Sequence, residues 1–268
     1  MTNMRLIYEN AAKTTNTITA STTAGTLSTA NLQNDDKKSV WRATTTSGTL
    51  TAIWTAAQTI NAVALPFCNL TSSATMRVRG YTNLADGSPA FDTTALACCA
   101  YVAGAFKNTG VAYFDRGGGV YVSLFFTGSA VKKLVIDLAD STNAAGYIEA
   151  GCLVIGDYWQ PDYNPDWGLG IGWKDLSTHE RSDNGSPKTD IKPRHKTISM
   201  SLSSMSETDK TTMLGIMRNW GVSNPIYFCL FPDAPTQDNQ IYGNLSQLGQ
   251  LSFDFINRYK TSIEIEEI

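Results

Sequence analysis

The chain has 268 residues, 17% of them charged, and a formal net charge of −3. That length suits one large domain or two modest ones, and the charge excludes a general electrostatic pull toward nucleic acid or an acidic membrane surface. Residues 1–156 carry 11 Lys+Arg against 9 Asp+Glu, or +2, whereas residues 157–268 carry 10 against 15, or −5.

Met4–Tyr8 reads as a short strand at the start of the first unit. Residues 14–59 hold fifteen threonines, stiff at χ1 and better suited to strands than helices. Asn31–Lys38 is a polar turn, followed by short strands at Val40–Arg42 and Leu50–Trp54 and an apolar one at Ile60–Phe67. Thr75–Tyr81 alternates, with Met76 and Val78 on one side and Arg77 and Arg79 on the other, which predicts a half-buried strand with a basic outer face. Gly117–Gly119 reads as a hairpin turn, since no P-loop Lys-Ser/Thr and no helix follow it. Val120–Phe126, Lys133–Leu138 and Tyr147–Ile155 complete eight or nine short strands. The pattern predicts a mainly β fold, with a β-sandwich over residues 1–156.

A connecting arm over residues 157–195 follows, without a convincing strand or helix. Its first part is aromatic, with Trp159, Tyr163, Trp167 and Trp173 among prolines and glycines. Large aromatics in such a loop serve as interface anchors or as platforms for sugar rings. Its second part, Thr178–Lys192, is polar and carries His179 and Arg181, the candidate contacts to another subunit.

Residues 196–268 are expected to form a smaller β-rich docking domain with one helix. Arg194–Met205 alternates apolar and serine. Ser206 is a good N-cap with Asp209 three residues on, Gly221 supplies the stop, and Met213, Leu214, Ile216, Met217 and Trp220 form the expected buried face. Strands at Ile226–Phe231, Gln240–Leu245, Leu251–Tyr259 and Ser262–Ile268 end the chain.

No catalytic signature is present. His179 and His195 are sixteen residues apart without the support a metal pair needs. Asp35-Asp36 and Asp137/Asp140 are oxygen ligands of the kind calcium takes, but they read better as turn and strand polarity. Glu264 and Glu266 form a solvated strand face. The expectation is therefore a non-enzyme with no cofactor and no metal. The five cysteines (Cys68, Cys98, Cys99, Cys152, Cys229) lack CxxC spacing and read as buried thiols of a reducing compartment. MTNMRLIYENAAK lacks the apolar core of a signal peptide, and no apolar run approaches the ~20 residues of a membrane span. These features predict a soluble protein made in the cytoplasm.

Residues ~25–155 resemble the galactose-binding-like (discoidin-like) jelly-roll of many carbohydrate-binding modules. The resemblance rests on Asn31–Trp41, Thr49–Phe67 with its Trp54, Thr75–Tyr81 and the closing Gly146–Trp159. With the aromatic arm and the ending Ile241-Tyr-Gly and Glu264-Ile-Glu-Glu-Ile268, the whole chain resembles minor structural proteins of tailed bacteriophages. That resemblance implies a virion component of tail, tail tip or baseplate, assembled in the host cytoplasm. Its partners would be other virion proteins and further copies of itself. The module resemblance implies an alternative, a carbohydrate-binding role that aids attachment to a host-surface glycan.

Overall fold

The computed structural model describes residues 2–15, 17–85, 87–99, 120–255 and 257–268. The strands in chain order are β1 (Arg5–Ile7), β2 (Thr17–Ala20), β3 (Trp41–Arg42), β4 (Ser47–Cys68), β5 (Thr75–Tyr81), β6 (Phe91–Asp92), β7 (Leu96–Ala97), β8 (Val120–Ala139), β9 (Glu149–Ala150) and β10 (Val154–Gly156). Beyond them lie β11 (Gly170–Asp175), β12 (Thr178–Arg181), β13 (Pro187–Asp190), β14 (Arg194–Met205), helix α1 (Glu207–Asn219), β15 (Ile226–Cys229), β16 (Gln240–Leu245), β17 (Ser252–Phe255) and β18 (Arg258–Glu267). The protein is mainly β, as the strand spacing predicts. The glycine turn expected at Gly117–Gly119 lies outside the described residues.

The first unit is built on two long antiparallel strands, β4 and β8, in a nine-stranded sheet ordered β3-β9-β4-β8-β5-β6, with β10 and β2 on β4 and β7 on β5. Sequence reading expects two strands in each of these stretches, and the structure fuses them. Register shifts between Ile53 and Gln58, Ile60 and Ala62, and Leu65 and Cys68 carry β4 across the polar interval Thr55–Thr59. Such bulges bend a strand sharply. The bent β4 presents its first half to β2 and its second half to β10, which gives the sheet its sandwich form. Strand β5 keeps the expected alternation: Met76 and Val78 are fully buried, while Arg77 and Arg79 pair with Asp92 and Asp137 outside. Asn31–Lys38 begins with a 3-10 helix (Thr29–Gln33) that buries Leu32.

The second unit is a seven-stranded sheet ordered β1-β15-β16-β18-β14-β11, with β17 on β18. The N-terminal strand therefore pairs with Ile226–Cys229 and belongs here, not to the sandwich. Helix α1 has the predicted capping box: the Ser206 hydroxyl accepts from the Asp209 amide and the Asp209 side chain accepts from the Ser206 amide. Gly221 ends it at φ +58°, the left-handed conformation typical of a helix stop. Met213, Ile216 and Met217 are buried. Leu214 and Trp220 are expected with them, but Trp220 is only partly buried and Leu214 is 47% exposed, because one residue advances the helix by about 100° and turns Leu214 off the i, i+3, i+4 face. The two units share a boundary, since Tyr227, Cys229 and Tyr242 of the second sheet pack in the same cluster as Phe67, Tyr121 and Val122 of the first. Among the described residues, no helix is long and apolar enough to cross a membrane.

Candidate functional site

The segment after β10 is not the featureless arm expected over 157–195. Its aromatic start is laid along the second sheet by hydrogen bonds. Trp159 and Leu6 exchange backbone bonds of 2.8 and 2.9 Å, the Asn3 amide donates to the Pro161 and Asp162 carbonyls, and the Asp166 amide donates to the Ser201 carbonyl at 2.8 Å. It then forms β11, a true strand paired with β14 from Gly170↔Ser199 to Asp175↔Arg194. Strands β12 and β13 follow as a two-stranded hairpin.

The predicted interaction residues separate into four groups. Trp159 is not a surface anchor. It is buried, and its Nε1 donates to Asp209 Oδ1 at 3.1 Å, so the helix cap holds it in the core. Tyr163 and Trp167 are exposed, Trp167 completely; the Arg258 guanidinium lies 5.3 Å from the centre of the Tyr163 ring. Trp173 stands on β11 and is half exposed. His179 and Arg181 lie two residues apart on β12, on one face of the hairpin. His179 Nδ1 pairs with Thr189 Oγ1 at 3.0 Å and Arg181 Nη1 donates to the Gly185 carbonyl at 3.0 Å. Every residue of β12 and β13 is exposed.

Register shows what β11 is doing. Directly opposed residues in an antiparallel pair share a face. Gly170 and Gly172 oppose Ser199 and Thr197 on the outer face, where a Cβ on Gly170 would come within 2.8 Å of the Ser199 hydroxyl. Ile171 and Trp173 oppose Ile198 and Lys196, both fully buried. The inner face of the sheet is covered by α1 and Trp159 as far as β14. On β11 that same face emerges: Ile171 is 41% and Trp173 50% exposed. Among the described residues the outer edge of β11 has no partner strand.

A second concave feature lies where the N-terminal segment, β10 and the end of α1 meet. It is a cleft of about 770 Å³, lined by Tyr8, Glu9, Asn10, Gln58, Asp157 and Trp220 among others. Tyr8 and Trp220 form its aromatic wall, edge to face at 5.1 Å. Burial raises the Tyr8 pKa, and the charges of Glu9 and Asp157 add to the effect. No sequence signal marks this cleft, because its walls come from four segments far apart in the chain.

The carboxylates considered for calcium are engaged elsewhere. Asp35 pairs with Lys13 and accepts from Tyr242, Asp36 accepts from the Lys38 amide, and Asp137 pairs with Arg79. Asp140 is buried and accepts from the Thr71 amide and hydroxyl, Ser73 and Asn143. Among the described residues no group of three His, Cys, Asp or Glu side chains could hold a metal ion. Glu264 accepts from Ser246, and Glu266 pairs with Lys174 at 3.0 Å.

No family model and no curated protein matches the sequence. Solved structures with a weak likeness include chitosan-binding module 1 of a chitosanase/glucanase from Paenibacillus sp. IK-5, at 15% identity and TM-score 0.39 over 56% of this chain and 99% of that one. A fucose-binding module from Streptococcus pneumoniae has 11% identity and TM-score 0.37 over 56% and 99%. CpGH89CBM32-5 from Clostridium perfringens, solved with GalNAc-β-1,3-galactose, has 9% identity and TM-score 0.40 over 56% and 100%. Likenesses of this size give no residue-by-residue correspondence to a binding site in this chain.

Proposed function

We propose that this protein is a non-catalytic structural component of a tailed-bacteriophage virion, in the tail, tail tip or baseplate, and that it acts by subunit assembly. The observation that carries the assembly reading is the partly uncovered continuation of a core face onto β11. Ile171 and Trp173 extend the row of buried residues on β14 but are 41% and 50% exposed. An apolar face beside an unpaired strand edge favours association. The hairpin after it is wholly exposed, and an isolated two-stranded hairpin is marginally stable alone, so a neighbour that packs on it would also order it. That neighbour is a further copy of the chain or another virion protein. The virion setting is drawn from the sequence resemblance. Mass spectrometry and immunolabelling of purified particles test it: a fixed copy number at one position is expected, and absence from particles would overturn it.

A second reading is favoured by the exposed rings of Tyr163 and Trp167. Flat, solvent-facing aromatics suit stacking on the apolar faces of sugars, which would make the arm a host-glycan contact. A glycan array probed with the native protein and with Trp167→Ala separates the two. Binding lost in the variant supports the glycan role, and no binding leaves assembly as the function of these rings.

A further inference from the structure

The cleft at the junction carries chemistry that assembly through β11 does not use. Two acidic residues line it, Glu9 and Asp157, both exposed. Among the described residues the Glu9 carboxylate makes no hydrogen bond or ion pair. Asp157 uses only Oδ1, which accepts from Asn61 Nδ2 at 2.7 Å and the Tyr158 amide at 2.8 Å. The one cation among the lining residues, Lys13, is already paired with Asp35 at 2.7 Å. The cleft therefore holds uncompensated negative charge beside the Tyr8–Trp220 aromatic wall.

Its floor is fixed in place. The Ala11 amide donates to the Ile155 carbonyl at 2.7 Å, Asn10 Nδ2 donates to the Leu153 carbonyl at 3.0 Å, and buried Trp54 donates from Nε1 to the Ala11 carbonyl at 2.8 Å. Gly156 lies so close to Glu9 that a Cβ would come within 2.4 Å of the Glu9 carbonyl oxygen. The spacing of the Glu9 and Asp157 segments is thus set by backbone contact, with no reliance on the side chains themselves.

We propose that this cleft binds an organic cation, a guanidinium or ammonium group, with Glu9 and Asp157 as its counter-charges and the Tyr8–Trp220 wall against its apolar portion. Aromatic faces attract such cations electrostatically, and carboxylates supply charge-assisted hydrogen bonds. A cleft of this size falls within the range that holds small ligands or a single inserted side chain.

The test uses the full chain at low ionic strength and follows indole resonances and fluorescence during titration. The probes are Nα-acetyl-arginine amide and Nα-acetyl-lysine amide, which mimic a partner's side chain, and putrescine, a free diamine. Nα,Nε-diacetyl-lysine amide is the uncharged control. Saturable perturbation of Trp220 by a charged probe is expected, absent with the control and weakened about three-fold by Glu9→Gln. The stronger of the peptide-like and free-amine probes identifies the source of the cation. Asp157→Asn, which keeps the Oδ1 acceptor for Asn61, gives an independent second variant. Equal response to the uncharged control, or no response from Trp220, would overturn the proposal.

Discussion

The Tyr121 hydroxyl donates to the Glu267 carboxylate, joining β8 of the sandwich to β18 of the second sheet. Both groups are buried, and more polar atoms close around them. Gln237 accepts from the Tyr121 amide at 2.6 Å and donates to its carbonyl at 2.9 Å. The Lys196 ammonium donates to the Gln237 and Gln240 carbonyls at 2.6 and 2.9 Å and lies 4.7 Å from the centre of the Tyr121 ring. Fully satisfied buried networks are costly to break, since each partner removed strands another. Tyr121→Phe should cost about 1–3 kcal/mol. Lys196→Met should cost about 3–5 kcal/mol, because Glu267 loses its nearby charge. Both variants should still unfold in a single step in urea, as Tyr227, Cys229 and Tyr242 of the second sheet pack into the core of the first. Two separate transitions would show the boundary to be weaker than its contacts imply.

Much of this architecture is legible locally and little of it at long range. The alternation of Thr75–Tyr81 and the Ser206/Asp209 pair lie within a few residues of one another, so the sequence states them directly. Strand β11 has two glycines and an uncovered inner face, so it has no burial pattern to read, and the wholly exposed hairpin has none either. Trp159 and Trp167 look alike in sequence. Only the fold brings Asp209 to Trp159. The assignment of Arg5–Ile7 to the second sheet depends on Ile226–Cys229, a pairing no local window contains. The cleft beside Glu9 is of the same kind.

The thiols give a chemical check on burial. All five cysteines are free and buried. Burial pushes the thiols of Cys98, Cys152 and Cys229 up to about 12, far from the range in which a thiolate forms at neutral pH. Cys98 and Cys99 lie just beyond β7 and not on opposite faces of a strand. Their thiols lie 3.5 Å from the Ala74 and Leu70 carbonyls, respectively. Native protein should therefore react with no equivalents of a thiol reagent at pH 8 within minutes, and with five after denaturation without reductant. Fewer than five would reveal a disulfide.

Helix α1 separates two residues two positions apart by burial. Ile216 is 1% exposed and Leu214 47%. Ile216→Ala should cost about 2–5 kcal/mol through lost transfer energy and a cavity. Leu214→Ala should stay within about 0.5 kcal/mol of the parent, as surface changes do. Thermal unfolding of the two variants is the measurement, and similar losses would mean that the buried face is turned from the position described.

Acid stability should carry the mark of one strand pair. Asp92 accepts from Arg77 Nε at 2.9 Å and from the Thr94 amide at 2.9 Å, which hold its carboxyl down at about 2. A carboxylate with a depressed folded pKa stabilises the protein fully above its unfolded value of about 3.9, and the stabilisation is lost as pH falls through about 2. Asp92→Asn should therefore lower the melting temperature at pH 6 and leave it nearly unchanged at pH 2. A constant difference across that range would assign the effect to packing.

The edge strand and hairpin supply the most direct test of assembly. If Ile171 and Trp173 are covered only by a neighbour, truncating them removes little from the isolated chain. Ile171→Ser and Trp173→Ser should each change monomer stability by less than about 1 kcal/mol, because half-exposed side chains lose only part of the transfer energy of a buried one. The same substitutions should weaken association in concentration-dependent sedimentation, where loss of a central aromatic anchor has its largest effect. Hydrogen exchange should agree. In dilute protein the amides on the free edge of β11 and throughout β12 and β13 should exchange early, since few buried contacts protect them. In the associated state, or in particles that contain the protein, protection over residues 170–190 should rise while that of β14 stays high in both. If 170–190 is equally protected in a dilute monomer, the edge is already closed by the chain itself and association must use another surface.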